Sequence, residues 1–379
     1  MPAYHQMGHD SQNLLFEKHL SGFAGAILSP LNADEAKTKR IVDDVRAALT
    51  DHFEVVFDPQ LYFPRTSVGR LPGWDHFPDD VETADLTSDA WWRHVAMQIA
   101  EVSKRLEVDA TCSPVVVPRA YSNEYYARSV DVAEELATLV ETDVWLTTLV
   151  GFSDLGQPGR AEQIASVITR SQLGRAYMVV QSDKEPRREL DDEASLAGVM
   201  RLIAMLEDAG IAVTVGFSSS DIVLWKAAGA SSCATGKFFN LRRFASARFE
   251  EQSGGGGGQL PYWFEENLLG FLRGADVLRI AALVPASDAT RRNPYSAACL
   301  AAINEGTSWL AESWRQFLWW FADYDRRADQ EPVNSVKSLL KNAEQHWVKL
   351  ETGDVLMEER RNDGAWLRAW RRASSVPLR

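Results

Sequence analysis

The sequence predicts an α/β protein: a TIM-like (β/α)8 barrel of eight strands followed by a C-terminal helical extension. Short β-type runs alternate with helical-period runs between residues 20 and 300, the pattern of strands paired in parallel through crossover helices. Seven or eight such units in that span match the usual size of the barrel, and beyond residue 300 the β pattern ceases. A doubly wound parallel sheet is the alternative. The glycine fingerprint that would favour it is missing after the first strand, where the chain reads Ser29-Pro30-Leu31-Asn32.

Taken in order, the first strand is expected at 25–29, followed by a helix over 34–49 with Ile41, Val42, Val45 and Leu49 on one face. The second strand is 54–58, and a helix over 88–106 buries Val95, Ile99, Val102 and Leu106. Pro114 cannot donate to a ladder, so the third strand lies either at 108–113 or at 115–117. Helix 123–140, strand 144–150, helix 159–170 and strand 176–181 follow. Helix 192–208 stops at Gly210 before strand 211–217, and Ser219 or Ser220 caps a helix that runs to Ala228, with Gly229 just past its end. A seventh strand is expected at 231–235 and an eighth at 277–283, where the apolar residues also fit a helix containing Leu268, Leu269 and Leu272. Two long loops stand out, 59–87 and 245–260; the run Gly254 to Gly258 in the second reads as a flexible tether. The expected division is an N-terminal arm over 1–20, the barrel over 21–322 and the extension, with a basic tail, over 323–379.

Composition narrows the function. A chain of 379 residues, 45% hydrophobic and 25% charged, needs no disulfide or metal staple and is not disordered. Its net charge of −13 argues against a surface built wholly for nucleic acid. Cys112, Cys233 and Cys299 are odd in number and far apart, as reduced thiols are, and the two in strands read as small core residues. No apolar stretch reaches the roughly 18 residues of a membrane span, and Met1 to Asn13 lacks a signal-peptide pattern, so no membrane contact and a cytoplasmic location are expected.

If the chain is a barrel, its chemistry lies at the carboxyl ends of the strands. Thr235-Gly236-Lys237-Phe238-Phe239-Asn240-Leu241-Arg242-Arg243 places three cations after a strand of small residues, where barrels often bind phosphate. Gly236 admits close backbone approach, and Thr235, Asn240 and Ser218 add polar groups. Lys237 reads as a point charge on the anion, as a Schiff-base nucleophile, or as a solvated turn residue. Asp58, walled by Phe57 and Tyr62 and followed by Pro59, is a general base, a nucleophile or a capping carboxylate. Gln181 ends an apolar strand and aims an amide at the barrel mouth, Arg119 would pair with an anionic group, and Arg65 belongs to a loop that could cover the pocket. His76 in that loop is expected to be exposed. A second carboxylate for sugar chemistry could come only from Asp154 or Asp183.

No H-x-H, H-E-x-x-H or C-x-x-C pair is present, which favours metal-independent chemistry, and nothing in the sequence names a cofactor. The leading expectation is therefore a metal-independent barrel enzyme acting on an anionic, phosphorylated or nucleotide-like small molecule. Asp58, Lys237 and Gln181 would carry the chemistry, as a lyase or in transfer or hydrolysis of glycosyl bonds. The alternative is a barrel without catalysis that joins a larger assembly. Eight of the 13 tryptophans lie beyond residue 260, and residues 360–379 hold six arginines against one acid. These helices read either as packing against the barrel or as an interface for a second copy or a protein partner. Arginine interleaved with Trp366 and Trp370 also fits nucleic acid, but docking of the tail onto an acidic body is the favoured reading.

Overall fold

Eight short parallel strands close into a barrel in chain order, β1 (Tyr4–Gln6), β2 (Gly25–Leu28), β3 (Glu54–Phe57), β4 (Ala110–Cys112), β5 (Asp143–Gly151), β6 (Arg175–Gln181), β7 (Ala212–Val215) and β8 (Ser232–Thr235). This computed structural model describes residues 3–49, 52–251, 259–330, 334–359 and 362–376, so Gly254 to Gly258 and Arg360, Arg361 and Arg379 of the tail lie outside the described residues. Closure is made by β1, whose Tyr4 pairs with Gly25 of β2 and with Ala234 of β8.

That strand corrects two expectations. The segment read as an arm before residue 21 supplies the first strand, which only three residues, two of them polar, kept below any periodic signal. The eighth strand expected at 277–283 is instead mostly helix α9 (Gly274–Ile280), whose buried side chains Asp276, Val277 and Ile280 are spaced for a helix. Leu268, Leu269 and Leu272 belong to an antiparallel hairpin of β9 (Trp263–Glu265) and β10 (Gly270–Leu272), with Phe271 opposite Phe264.

Between the strands run α1 (Gln12–Leu15), α2 (Glu35–Ala48), α3 (Asp89–Leu106), α4 (Asn123–Leu139), the paired α5 (Phe152–Leu155) and α6 (Arg160–Ile168), α7 (Glu193–Asp208) and α8 (Ile222–Ala227). Asp34, Ser88, Ser122 and Asp192 each accept a backbone N–H from the first turn of the helix that follows, which sets where α2, α3, α4 and α7 begin. At α8 the cap position falls to Asp221 rather than to either serine. After the hairpin come α9, α10 (Asp288–Arg292), α11 (Ser296–Glu305), α12 (Leu310–Ala328), α13 (Asn334–Thr352) and α14 (Trp366–Ala373). The expected boundary at 322 falls inside α12, which packs on α8, β8 and β9 and keeps Phe321, Ala322 and Tyr324 buried across it.

The tryptophan-rich end is largely packing. Trp263, Trp309, Trp320, Trp347, Trp366 and Trp370 are buried, and Trp314 and Trp319 half-buried. Trp347 and Trp370 donate their indole N–H to the Leu268 and Leu190 carbonyls, at 2.9 and 2.6 Å, which fastens α13 to the hairpin and α14 to the loop before α7. No helix among the described residues is long and apolar enough to cross a membrane.

Alternation along the strands fills the barrel in layers. At the amino end Arg175 pairs with Glu54 at 2.7 Å and lies over the Trp145 ring, with Tyr4 against both. One layer up, Tyr177 donates to Gln6 Oε1 at 2.9 Å. Above that, at the carboxyl end, stands Asp58.

Candidate active site

Asp58 follows the last residue of β3, and Pro59 and the positive φ of Gln60 (52°) turn the chain back over it. Its carboxylate accepts the Gln60 N–H at 3.0 Å and the Tyr62 hydroxyl at 3.0 Å. Only 2% of the residue is exposed, and burial pushes its pKa up to about 6 against those hydrogen bonds. Arg248 comes from a 3-10 turn over residues 246–249, lies against the rings of Phe217 and Phe249, and donates from Nη2 to Ser29 Oγ at 3.1 Å. Burial draws its pKa down to about 10, and the negative charge of Asp58 opposes that.

Ser29 is spent: it donates to Gln60 Oε1 at 2.9 Å and accepts from Asn32 at 2.7 Å. The nitrogens around it are not. Gln6 Nε2, Gln60 Nε2 and Arg248 Nη1 are buried with no hydrogen-bond partner among the described residues. Ser29 links Gln60 to Arg248, and Tyr177, which holds Gln6, feels the charges of Asp58 and Arg248, so the three nitrogens belong with Asp58 to one buried polar cluster. Each unpaired buried donor costs about 1–3 kcal/mol, and such groups in a native fold call for an explanation, of which a bound ligand is one.

A strap covers this cluster. Phe244 bridges to Gln181 of β6, its ring stands 4.8 Å from that of Tyr62, and Phe249 packs on Phe63 at 5.1 Å. Thr66 donates to the Phe249 carbonyl at 2.6 Å and Ser67 to Glu251 at 2.7 Å, so the β3–α3 loop and residues 244–251 meet across the mouth. Beyond the wall made by Tyr62 and Phe249 lies a cavity of about 680 Å3, with Arg65 and Arg119 in its lining.

The β6–β8 side of the mouth is built differently. Arg243 lies 3.2 Å from Asp221 and 3.6 Å from Glu189, and Ser220 donates to Glu189 at 2.7 Å. All four are buried, and burial raises the pKa of both acids, that of Glu189 to about 7. The protein's own carboxylates thus occupy the region after β7 and β8 where barrels often hold phosphate. Thr235 donates its hydroxyl to the Ser218 carbonyl at 2.6 Å, and Ser218 donates its own to Val215 at 2.9 Å. Arg242 ties down the carbonyls of Gly236 and Lys237, each at 2.9 Å. A Cβ on Gly236 would stand 2.6 Å from the Gln6 carbonyl oxygen, so the glycine serves close packing of β8 on β1.

The three residues expected to carry the chemistry therefore fall into three places. Asp58 sits in the buried polar cluster. Lys237 donates to the Asp10 carbonyl at 2.9 Å, between the rings of Phe238 and Trp314, and with the exposed Asn240 lines a separate cavity of about 370 Å3. Desolvation lowers the pKa of that lysine. Gln181 stands at the end of β6, where its amide oxygen accepts the Tyr121 hydroxyl. Asp154 is held by Arg160 at 2.7 Å and offers Asp58 no partner. His76 is buried rather than exposed, its Nε2 2.9 Å from the Pro59 carbonyl oxygen, and its pKa is pushed down to about 4 by burial. Sequence reasoning missed Arg248 and Gln6. The signal for the first was a lone cation between aromatics, Phe244-Ala245-Ser246-Ala247-Arg248-Phe249; for the second it was the polar pair inside Tyr4-His5-Gln6.

Among the described residues no group of three or more His, Cys, Asp or Glu side chains is placed to hold a metal ion. No protein-family model matches the chain, and no curated protein matches it. Among solved structures it is similar to an enolase from Bradyrhizobium complexed with magnesium and mandelic acid, at 12% identity over 62% of this chain and 52% of that one, with a TM-score of 0.34. It is also similar to dihydrodipicolinate synthase from Oceanobacillus iheyensis, at 10% identity over 97% and 96%, TM-score 0.35. A third is type I 3-dehydroquinate dehydratase from Clostridium difficile, at 11% identity over 65% and 89%, TM-score 0.36. The chain spans about half the length of the enolase it matches.

Proposed function

We propose that this protein is a metal-independent barrel enzyme acting on a small anionic molecule, with Asp58 as its acid–base group. The observation that carries the reading is the cluster itself: a buried carboxyl at a strand's carboxyl end, with a pKa pushed up to about 6, beside three nitrogen donors that have no hydrogen-bond partner among the described residues. A group with that pKa gives and takes protons near neutrality. Arg248 and the amides of Gln6 and Gln60 suit the oxygens of a carboxylate, phosphate or enolate, where positive charge and fixed donors stabilise negative charge most in a dry site. In this reading the anion is met by Arg248 rather than by the turn at Gly236 and Lys237. A role in assembly through the C-terminal tryptophans has less support, because six of those eight side chains are already buried.

The test is a thermal-shift screen of carboxylated and phosphorylated metabolites and nucleotides against the native protein, Asp58→Asn and Arg248→Met. A true ligand raises the Tm of the native protein and of Asp58→Asn, since binding to the folded state stabilises it by mass action, and fails to raise that of Arg248→Met. Turnover of that ligand falls on the order of 10²–10⁴-fold in Asp58→Asn. A ligand that shifts all three proteins equally overturns the assignment of Arg248, and undiminished turnover in Asp58→Asn overturns that of Asp58.

A further inference from the structure

We infer that the cavity beside the Asp58 cluster binds an acid with an apolar, ring-bearing body, seated between the β3–α3 and β4–α4 loops with its charged group at Arg119. This rests on the reading above, because Tyr62, which donates to Asp58, lines the cavity together with Phe249, and it names the class of substrate that the neighbouring site would hold. At about 680 Å3 the cavity is within the usual range of small-molecule sites.

Its apolar character follows from the sequence Pro114-Val115-Val116-Val117-Pro118. The two prolines keep the segment extended and out of any ladder, and it is pinned by one backbone bond, Val117 N–H to the Tyr62 carbonyl at 2.9 Å. Val116 and Val117 are only half-buried, and with Pro64, Leu86, Trp92 and Phe249 they present apolar surface to the space. An apolar surface that the fold leaves open in this way suits a ligand with an apolar body.

Charge fixes the sign of that ligand. Three arginines and one acid, Glu124, line the cavity. Two of the arginines are engaged by the protein: Arg65 donates to the Val81 carbonyl at 2.8 Å, and Arg128 pairs with Asp89 at 2.7 Å. Arg119 has no hydrogen-bond or ion-pair partner among the described residues and is exposed at the rim. A carboxylate with an aromatic body satisfies both features, the rings against the valines and Trp92, the oxygens on the guanidinium fork.

Calorimetric titration with 2-naphthoate and its neutral counterpart 2-naphthamide tests this on the full chain. The expected result is that 2-naphthoate binds, that Arg119→Gln weakens it at least about tenfold while moving 2-naphthamide less than twofold, and that Val116→Trp, which fills the cavity, removes both. Retention of native naphthoate affinity in Arg119→Gln or in Val116→Trp overturns the inference, as does an absence of binding to the native protein. Because Arg119 is exposed, its substitution leaves folding intact, and circular dichroism of both variants checks that. Asp58→Asn binds 2-naphthoate like the native protein, so a failed titration condemns the cavity alone, and undiminished turnover in Asp58→Asn condemns the acid–base assignment alone.

Discussion

On the β6–β8 side of the barrel mouth Arg243 lacks a hydrogen-bond partner only at Nε and stands between the carboxylates of Asp221 and Glu189, whereas on the β1–β3 side Arg248 meets one serine hydroxyl and, among the described residues, has neither a partner at Nη1 nor a carboxylate within ion-pair distance. Both guanidinium groups are buried. The first is matched by carboxylates from the loops after β6 and β7, and it joins those loops to the end of the barrel. The second lies against the rings of Phe217 and Phe249 and is balanced chiefly by the field of Asp58. A buried charge that the chain pairs with itself is architecture; a buried charge and neighbouring amides without partners are what the proposed recognition of an anion rests on.

The largest effect that would break this contrast is on Arg243. Its replacement by leucine leaves two carboxylates buried without a counter-charge and should cost about 3–5 kcal/mol in urea denaturation, whereas Arg248→Leu should cost less than half as much. Equal losses would mean that Arg248 is structural too.

Asp58 gives the next effect, and its sign is diagnostic. Its pKa is about 6 in the folded protein against an ordinary 3.8, so the folded state holds the proton more tightly. The stability it contributes is full below about pH 4 and is lost as pH rises through 6, a swing of about 3 kcal/mol. Relative to the native protein, Asp58→Asn should gain that amount between pH 4 and pH 7, read as the difference between two urea midpoint series. A flat difference would place Asp58 in a solvated site and remove its claim to acid–base chemistry. Stability surrendered at working pH is the usual signature of a group kept for function.

Gly236→Ala is the smallest effect and sharpens the other side. The added methyl would meet the Gln6 carbonyl and Leu241, each at 2.6 Å, and overpacking of this kind costs about 1–3 kcal/mol. If the glycine serves packing, the Tm falls while the shift produced by any ligand stays the same; a loss of ligand shift at unchanged Tm would restore it as an anion contact.

Much of the barrel was legible because its helices announce themselves. Asp34, Ser88, Ser122 and Asp192 cap helices whose starts the sequence predicts to within a residue, and the apolar stripes of 34–49 and 88–106 are buried as expected except at Leu49, which is half-buried at the helix end. The strand at either end of the chain's barrel was misread for opposite reasons. Tyr4-His5-Gln6 is too short and too polar to look like a strand, yet all three side chains are buried where the barrel closes. Residues 277–283 are apolar enough for one, yet the pairing edge of β8 is already taken by β1. Of the site, Asp58 could be located by its strand-end position before proline, and Arg119 by its place after the third expected strand. Arg248 could not be tied to Asp58, because 190 residues separate them and no local pattern records which loop will fold over which strand.

The sequence by itself determined the periodicities, and through them the class of fold and the rule that chemistry collects at strand ends, because burial of apolar stripes and capping of helices are local consequences of residue order. Only the tertiary structure decided which charges are spent. Whether Arg242 and Arg243 are free to meet a ligand or are bound to backbone carbonyls and to Asp221 and Glu189, and whether Arg248 is left open above Asp58, depends on which loops converge at the barrel mouth. Convergence is set by the closed ring of strands, a long-range constraint that no window of sequence contains.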